Sequence, residues 1–244
     1  MPDMISLIVF GAWFLAGFVS GVSGIGGAMV AVPIAALFIP MHEVIALSCL
    51  LCVTIAAGVA LANFRYCRVQ ALIPMLVGAL PGAVAGLFIL QLVSGEILQG
   101  GVGLLLLGYV WWQYSYRAGT VHGESWQWGG IAGFGAGLLG TAISFDGPPV
   151  AAYGMYAGWQ PRPFLGTLSV FFIIRSLLTC ALQAYAGFYT PTVLGYALYG
   201  VPATLLGTLC AFPVARRIPL VLFRQVLMLL IAVAGLVCLV RSLL

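Results

Sequence analysis

The chain has 244 residues, of which 63% are hydrophobic and only 6% are charged, with a formal net charge of +4. Soluble domains carry about 25% charged residues, so this composition excludes a water-soluble globular protein and indicates an integral membrane protein. All nine basic residues are arginine and lie in short clusters, which favours loops at an anionic membrane surface over nucleic-acid binding. We expect a multi-pass protein of a bacterial-type cytoplasmic membrane, with membrane lipid around it.

Eight apolar segments follow one another along the chain, and a membrane-spanning helix needs about 20 such residues. They cover residues 4–39, 43–62, 71–92, 96–115, 126–158, 165–188, 191–213 and 223–243. Six have the length of one span, whereas the first and the fifth are too long. As a straight helix, the first would measure about 54 Å, against a hydrocarbon core of about 30 Å. Glycine and proline interrupt both long segments, so each is predicted to be a broken helix.

The two interrupted segments resemble each other. One contains "GFVSGVSGIGG" from Gly17, and the other contains "GFGAGLLGTAISFDGPP" from Gly133. The segments that follow them also pair in order and length. We therefore predict an internal duplication, with a first repeat over residues 1–115, a polar linker over 116–125 and a second repeat over 126–244.

The arginine distribution predicts how the repeats are oriented. Eight simple crossings would place four arginines on each side of the membrane. If each long segment enters and returns on the same side as a bent hairpin, only Arg241 is separated from the other loop arginines, as the positive-inside rule favours. The seven on the shared side are Arg65, Arg68, Arg117, Arg162, Arg216, Arg217 and Arg224. The expected fold is an all-α polytopic membrane protein with two inverted repeats, each a broken helical hairpin followed by three transmembrane helices.

The two breaks are the candidate binding site. A broken helix is tolerated at membrane depth only where it faces protein or a water-filled cavity, and the start of a half-helix directs N–H groups and a positive dipole end at an anion. We therefore expect the breaks to meet near the midplane and to bind a small anion. The candidate substrate-binding residues there are Ser23, Gly24, Gly26, Gly27, Ser144, Asp146, Gly147 and Pro148.

An alternative interpretation is that the glycines only allow helices to pack closely. It applies most to Gly17, Gly21, Gly133 and Gly137, which keep helical spacing. If the breaks bind the anion, Gly17→Ala is expected to be milder than a bulky substitution at Gly26.

Asp146 and Arg175 are the two ionisable residues expected at membrane depth. A central arginine costs about 2.5–3.5 kcal/mol on insertion scales, so such residues usually mark a pathway or pair with each other. Arg175 is therefore a further candidate substrate-binding residue, and Asp146 is a candidate coupling residue that carries a proton. A purely structural salt bridge between them is the alternative, and both interpretations can hold together.

The cysteines and histidines give little sign of other chemistry. Cys49 and Cys52 are helical neighbours inside an apolar segment, where cysteine usually acts as a small hydrophobic residue. His42 and His122 fall in predicted loops. We predict no metal site and no cofactor.

These motifs resemble the sulfite exporter TauE/SafE family of membrane permeases. "GFVSGVSGIGGAMVAVP" is similar to the first signature of that family, and "GLLGTAISFDGPPVAAY" to its second-half counterpart. The second break departs from the expected glycine run, because Ser144, Phe145 and Asp146 precede Gly147. The resemblance implies secondary transport of a small sulfur-containing anion, such as sulfite, a sulfonate or another organosulfur acid. The alternatives are a permease for a different small organic anion or, less favoured because only one acid lies deep, an intramembrane enzyme.

Overall fold

The structure is a computed structural model that describes residues 4–115, 122–215 and 220–243. These residues form ten α-helices and no strand, which confirms the all-α prediction. The helices are α1 (Met4–Ser23), α2 (Gly27–Ala35), α3 (Met41–Asn63), α4 (Val69–Leu92), α5 (Gly95–Ser115), α6 (Trp126–Ile143), α7 (Gly147–Tyr156), α8 (Pro161–Tyr185), α9 (Pro191–Ala215) and α10 (Leu220–Leu243). A short 3₁₀ turn, Phe64–Tyr66, follows α3. Most of the predicted linker and three of the loop arginines, Arg117, Arg216 and Arg217, lie outside the described residues.

Six helical segments are long and apolar enough to cross a membrane, so the chain is a multi-pass membrane protein. They are Met4–Ser23, Met41–Tyr66, Val69–Leu92, Pro161–Tyr185, Pro191–Val214 and Gln225–Ser242. The two overlong apolar segments are each divided into a long and a short helix, as predicted. The short helices α2 and α7 have only 9 and 10 residues, about 14–15 Å of helix, too little to cross the membrane.

The long helices end at residues that adopt left-handed backbone conformations. Gly24 follows α1 with φ 79°, and its N–H donates to the Ser20 carbonyl at 2.7 Å. Ser144 follows α6 with φ 58°, and its N–H donates to the Gly140 carbonyl at 3.1 Å. A left-handed residue directly after a helix is a common helix terminator, and glycine adopts it without steric cost. Both breaks are therefore fixed by the local sequence.

Close glycine contacts join the two halves of the chain. α1 packs along α9 in the same direction, since Gly17 lies against Thr204 and Gly21 against Thr208. α6 packs in the same way along α4, since Gly133 lies against Met75 and Gly137 against Ala79. These four glycines therefore do serve helix packing.

The packing at Gly17 corrects one expectation from the sequence. A methyl group added there would collide with the backbone carbonyl oxygen of Thr204. Backbone cannot move aside as a flexible side chain can, so Gly17→Ala is a severe change to the fold and not a mild one.

Helices α3 and α8 lie at the centre of the bundle and run in opposite directions. Near one end Gly166 approaches the carbonyl of Asn63, and further along Gln183 Nε2 lies 3.6 Å from Cys49 Sγ. α3 also packs in the same direction as α9, since Gly200 lies against Leu51 and Gly58 against Thr208, with Thr54 Oγ1 2.9 Å from Thr204 Oγ1 between them. Since α1 and α3 are both parallel to α9, the short α2 returns the chain between them.

Candidate functional site

The two helix breaks face each other across a small internal cavity. A methyl group added at Gly147, the first residue of α7, would lie 3.3 Å from Met29 Cε and 3.7 Å from Ile25 Cβ, so the breaks are in contact range. The cavity between them has a volume of about 40 Å³. One water needs roughly 10–15 Å³ by this measure, so the space suits a ligand of a few non-hydrogen atoms.

Most of the residues predicted from the sequence line this cavity. They are Gly24, Gly26, Gly27, Ser144, Asp146 and Gly147. Ser23, Pro148 and Arg175 lie outside the lining. The Ser23 hydroxyl sits 2.7 Å from the Val19 carbonyl and 2.5 Å from the Ile25 carbonyl, and the residue borders a separate cavity of about 270 Å³. The backbone thus engages the Ser23 hydroxyl.

Asp146 and Arg175 form a buried ion pair at the edge of the cavity. Arg175 Nη2 lies 2.5 Å from Asp146 Oδ2, and the arginine is only 2% exposed. Arg175 also donates to Ser176 Oγ at 2.7 Å and to Thr179 Oγ1 at 3.3 Å. The two charged groups are close but poorly angled for a hydrogen bond, so Asp146 Oδ2 accepts no well-formed hydrogen bond within the described part of the chain. Arg175 Nε also has no hydrogen-bond partner among the described residues. Asp146 is the member of the pair that reaches the cavity.

The two half-helices differ in the N–H groups that they offer. At the start of α2, Gly26, Ala28 and Met29 each carry an N–H, and the Gly27 N–H donates to Ser20 Oγ at 3.1 Å. At the start of α7, Pro148 and Pro149 have none. The two helix starts are therefore not equivalent, because α2 has more N–H donors at its start than α7.

Several lining residues were missed by the sequence analysis because they lie one or more turns away from the breaks. Trp13, Ala16 and Ser20 occupy one face of α1, and Ser48 and Cys52 one face of α3. Ser169 and Phe172 of α8 complete the wall together with Ile55, Ala56 and Val59 of α3. The sequence did contain a signal for these residues, namely a tryptophan and serines at helical spacing inside apolar segments.

The cysteines and histidines are accounted for by local contacts. Cys52 lines the cavity, and Cys49 Sγ lies 3.6 Å from Ser144 Oγ. All six cysteines are free thiols. His42 Nε2 lies 3.2 Å from the Val93 carbonyl, and His122 stacks on Tyr156.

Three of the loop arginines lie at the same end of the bundle. Arg162, at the start of α8, donates to Tyr66 OH at 3.0 Å, which places it beside Arg65 in the loop after α3. Arg68 of that loop forms a 2.9 Å salt bridge with Glu124, just before α6. The loop after α3 and the starts of α6 and α8 therefore share one end of the molecule.

A bundle of membrane-spanning helices that encloses a small cavity between two helix breaks, with a buried ion pair beside it, has the architecture of a membrane permease. The model of the family "Sulfite exporter TauE/SafE" matches residues 9–238, so the chain belongs to this family. Its members are membrane transporters of sulfur-containing anions such as sulfite. No curated protein and no solved structure matches the chain.

Proposed function

We propose that the protein is a secondary transporter that moves a small sulfur-containing anion across the cytoplasmic membrane by alternating access around the cavity between the two breaks. The observation that carries this proposal is the convergence of both breaks on one small cavity, with Asp146 in its wall. Irregular backbone at membrane depth is expected where it lines a substrate cavity. The cavity is also small enough to favour a compact anion.

The helix directions support the inverted arrangement of two repeats. α3 and α8 hold corresponding places in the two halves and run in opposite directions. Arg162 lies beside the loop that carries Arg65, although eight simple crossings would put these two residues on opposite sides. On this proposal both arginines face the cytoplasm, together with the entrance of the second hairpin (α6 and α7), whereas the first hairpin (α1 and α2) enters from the opposite side.

Single-cysteine labelling tests this orientation. Cysteines introduced at Arg65 and Arg162 react with a membrane-impermeant maleimide from the cytoplasmic side, and one at Tyr185, at the far end of α8, reacts from the other side. Burial raises the pKa of the native Cys67 thiol, so background labelling in this loop stays low at neutral pH and is removed by Cys67→Ser. Labelling of positions 65 and 162 from opposite sides would exclude the inverted repeat.

The start of α2 supplies backbone N–H groups and a positive dipole end to the anion. The residues proposed to contact substrate there are Gly24, Gly26 and Gly27. Glycine at these positions lets a ligand approach the backbone closely. The start of α7 contributes Ser144, Asp146 and Gly147 to the opposite wall, with Pro148 shaping the helix start.

Asp146 and Arg175 control the charge of the site. In the empty cavity the Asp146 carboxylate neutralises Arg175. An incoming anion competes with Asp146 for Arg175, and protonation of Asp146 removes that competition. Substrate binding at Arg175 and proton binding at Asp146 are then coupled, which makes protons the proposed coupling ion.

Flux measurements on purified protein in liposomes test the proposed function. The probes are sulfite, methanesulfonate and sulfoacetate, with acetate as a carboxylate without sulfur. We expect flux of at least one sulfur anion, driven by a pH gradient and independent of ATP. Flux of acetate alone would favour the alternative of a permease for a different organic anion, and no flux of any probe would contradict the proposal.

A further inference from the structure

One wall of the central cavity carries three uncharged hydrogen-bond donors. Trp13 and Ser20 lie two turns apart on the same face of α1, and Ser48 lies on α3. Their exposed fractions are 1%, 6% and 2%, so each is shielded from lipid and bulk water. An indole N–H and two hydroxyls are therefore gathered around a space of about 40 Å³.

These donors are available to a ligand. Within the described residues, the Trp13 indole N–H and the Ser48 hydroxyl make no hydrogen bond, and the Ser20 hydroxyl only accepts one, from the Gly27 N–H at 3.1 Å. Burying a donor without a partner costs about 1–3 kcal/mol. Both groups line the same cavity, so a ligand held there would pair with donors that the protein leaves without a partner.

Neither Trp13 Nε1 nor Ser48 Oγ is sealed inside packed protein. The fully buried side-chain atoms without a hydrogen-bond partner in the described ranges are Gln99 Nε2, Asp146 Oδ2 and Arg175 Nε. Trp13 and Ser48 each keep a small accessible surface, and both residues line the cavity.

The facing wall contains serines that are already engaged. The Ser144 hydroxyl donates to the Ile45 carbonyl at 3.3 Å, and the Ser169 hydroxyl donates to the Gly166 carbonyl at 3.1 Å. That wall also carries the Asp146 carboxylate. The cavity thus has a side with free donors, built from α1 and α3, and an acidic side, built from α7 and α8.

We propose that Trp13, Ser20 and Ser48 bind the oxygen atoms of the substrate and select a small oxyanion with at least three acceptor oxygens, either sulfite itself or the sulfonate head group of an organic acid. This inference rests on the proposed function and names the side chains that determine its specificity. Hydrogen bonds to an anion are stronger than those between neutral groups. Uncharged donors supply them without a further positive charge beside Arg175. A ligand with fewer acceptor oxygens leaves a buried donor unpaired and is disfavoured.

Isothermal titration of the purified full-length protein with sulfite, methanesulfonate and sulfoacetate tests the proposal. Trp13→Phe and Ser48→Ala each remove one donor. Each is expected to weaken the affinity for the probe that the wild type binds by about ten-fold or more. Ser6→Ala is the matched control, because Ser6 is a buried serine of α1 that does not line the cavity. Trp111→Phe, on a residue that is 72% exposed, controls for the loss of an indole. Both controls are expected to bind as the wild type does.

Thermal unfolding without ligand separates binding from folding. If Trp13→Phe lowers stability, Ser48→Ala decides the question, since it removes only one oxygen atom. Binding by Ser48→Ala that equals wild-type binding, or an equal loss in Ser6→Ala, would overturn the assignment of the donors while leaving the transport function intact. Absence of binding of all three probes to the wild type, together with absence of flux, would overturn the proposed function and this inference with it.

Discussion

The two breaks use the same backbone device but differ in chemistry. Each long helix ends at a left-handed residue, Gly24 or Ser144, and an apolar residue follows it. The next position is Gly26 in the first break, with φ 92°, and Asp146 in the second, with φ −88°. The first break is therefore uncharged and rich in free N–H groups. The second carries two prolines and Asp146, which forms the ion pair with Arg175. We infer that the first break binds the anion and the second responds to protons.

The largest effect is expected at the ion pair of the second break. Arg175→Ala leaves Asp146 buried without a partner, and breaking a buried pair in this way costs about 3–5 kcal/mol. Since whole domains are stable by only about 5–15 kcal/mol, this removes a large share of the stability, and we expect the yield of folded protein to fall clearly. The yield of monodisperse protein in detergent measures this loss.

Two controls separate the loss of the ion pair from the loss of an arginine as such. Arg241→Ala, on an exposed residue of α10, is expected to fold as the wild type does. The double variant Asp146→Asn with Arg175→Gln removes both charges and is expected to recover the fold but not pH-dependent transport. A double variant with full, pH-dependent transport would mean that the pair is only structural.

A smaller effect is expected at the first break. Gly26→Ala places a methyl group in ordinary van der Waals contact with Met29 Sδ and Val19 Cγ1, both 3.9 Å away, but in a left-handed conformation that costs about 1–2 kcal/mol. We expect folded protein that has lost most of its flux, because the helix start that binds the anion is distorted. Flux per folded molecule in liposomes measures this change.

Gly147→Ala is the corresponding change at the second break. Its methyl group would press on the flexible end of Met29, at 3.3 Å, and touch Ile25 Cβ, at 3.7 Å, and it carries no backbone strain. We expect a milder loss of flux than in Gly26→Ala. Gly101→Ala, where nothing lies within 4 Å, is the control and is expected to be silent. Equal loss of flux and of folded protein at Gly26 and Gly147 would favour packing as their only role.

The broken helices and the buried charges could be predicted from the sequence because each has a strong local cause. Composition predicts the membrane, chain length predicts that residues 4–39 cannot form one straight span, and Gly26 and Pro148 locate the breaks. A salt bridge between Asp146 and Arg175 was one of the two interpretations that the sequence left open, because two isolated charges in an apolar chain either mark a pathway or pair with each other.

The relation between the two breaks and the cavity wall could not be predicted in the same way. Matching the "GF" motifs aligns Gly17 with Gly133, but these residues lie six and ten positions before the ends of their helices, Ser23 and Ile143. The motifs are thus out of register by about one helical turn. Whether a donor such as Ser48 faces the cavity depends on how helices from different parts of the chain are rotated against each other. No local pattern in the sequence shows that rotation.

The smallest effect is expected for Ser144→Gly, which makes the second break more like the first. Relief of the left-handed serine stabilises by about 1 kcal/mol, and loss of the buried hydrogen bond to the Ile45 carbonyl costs a similar amount. We expect the unfolding free energy to change by less than about 1 kcal/mol and flux to persist. A large loss of flux with unchanged stability would instead assign a direct role in binding to the Ser144 hydroxyl.

The division of roles between the two breaks is tested most directly by the pH dependence of sulfite flux in Asp146→Asn, measured against the wild type in the same liposomes. Sulfite itself titrates, but equally for both proteins, so the ratio of the two fluxes at each pH isolates the contribution of Asp146. The account predicts that Asp146→Asn still transports sulfite and that this ratio changes steadily with pH, because only the wild type gains or loses a proton at the site. A ratio that stays constant across the pH range, with active protein on both sides, would contradict it.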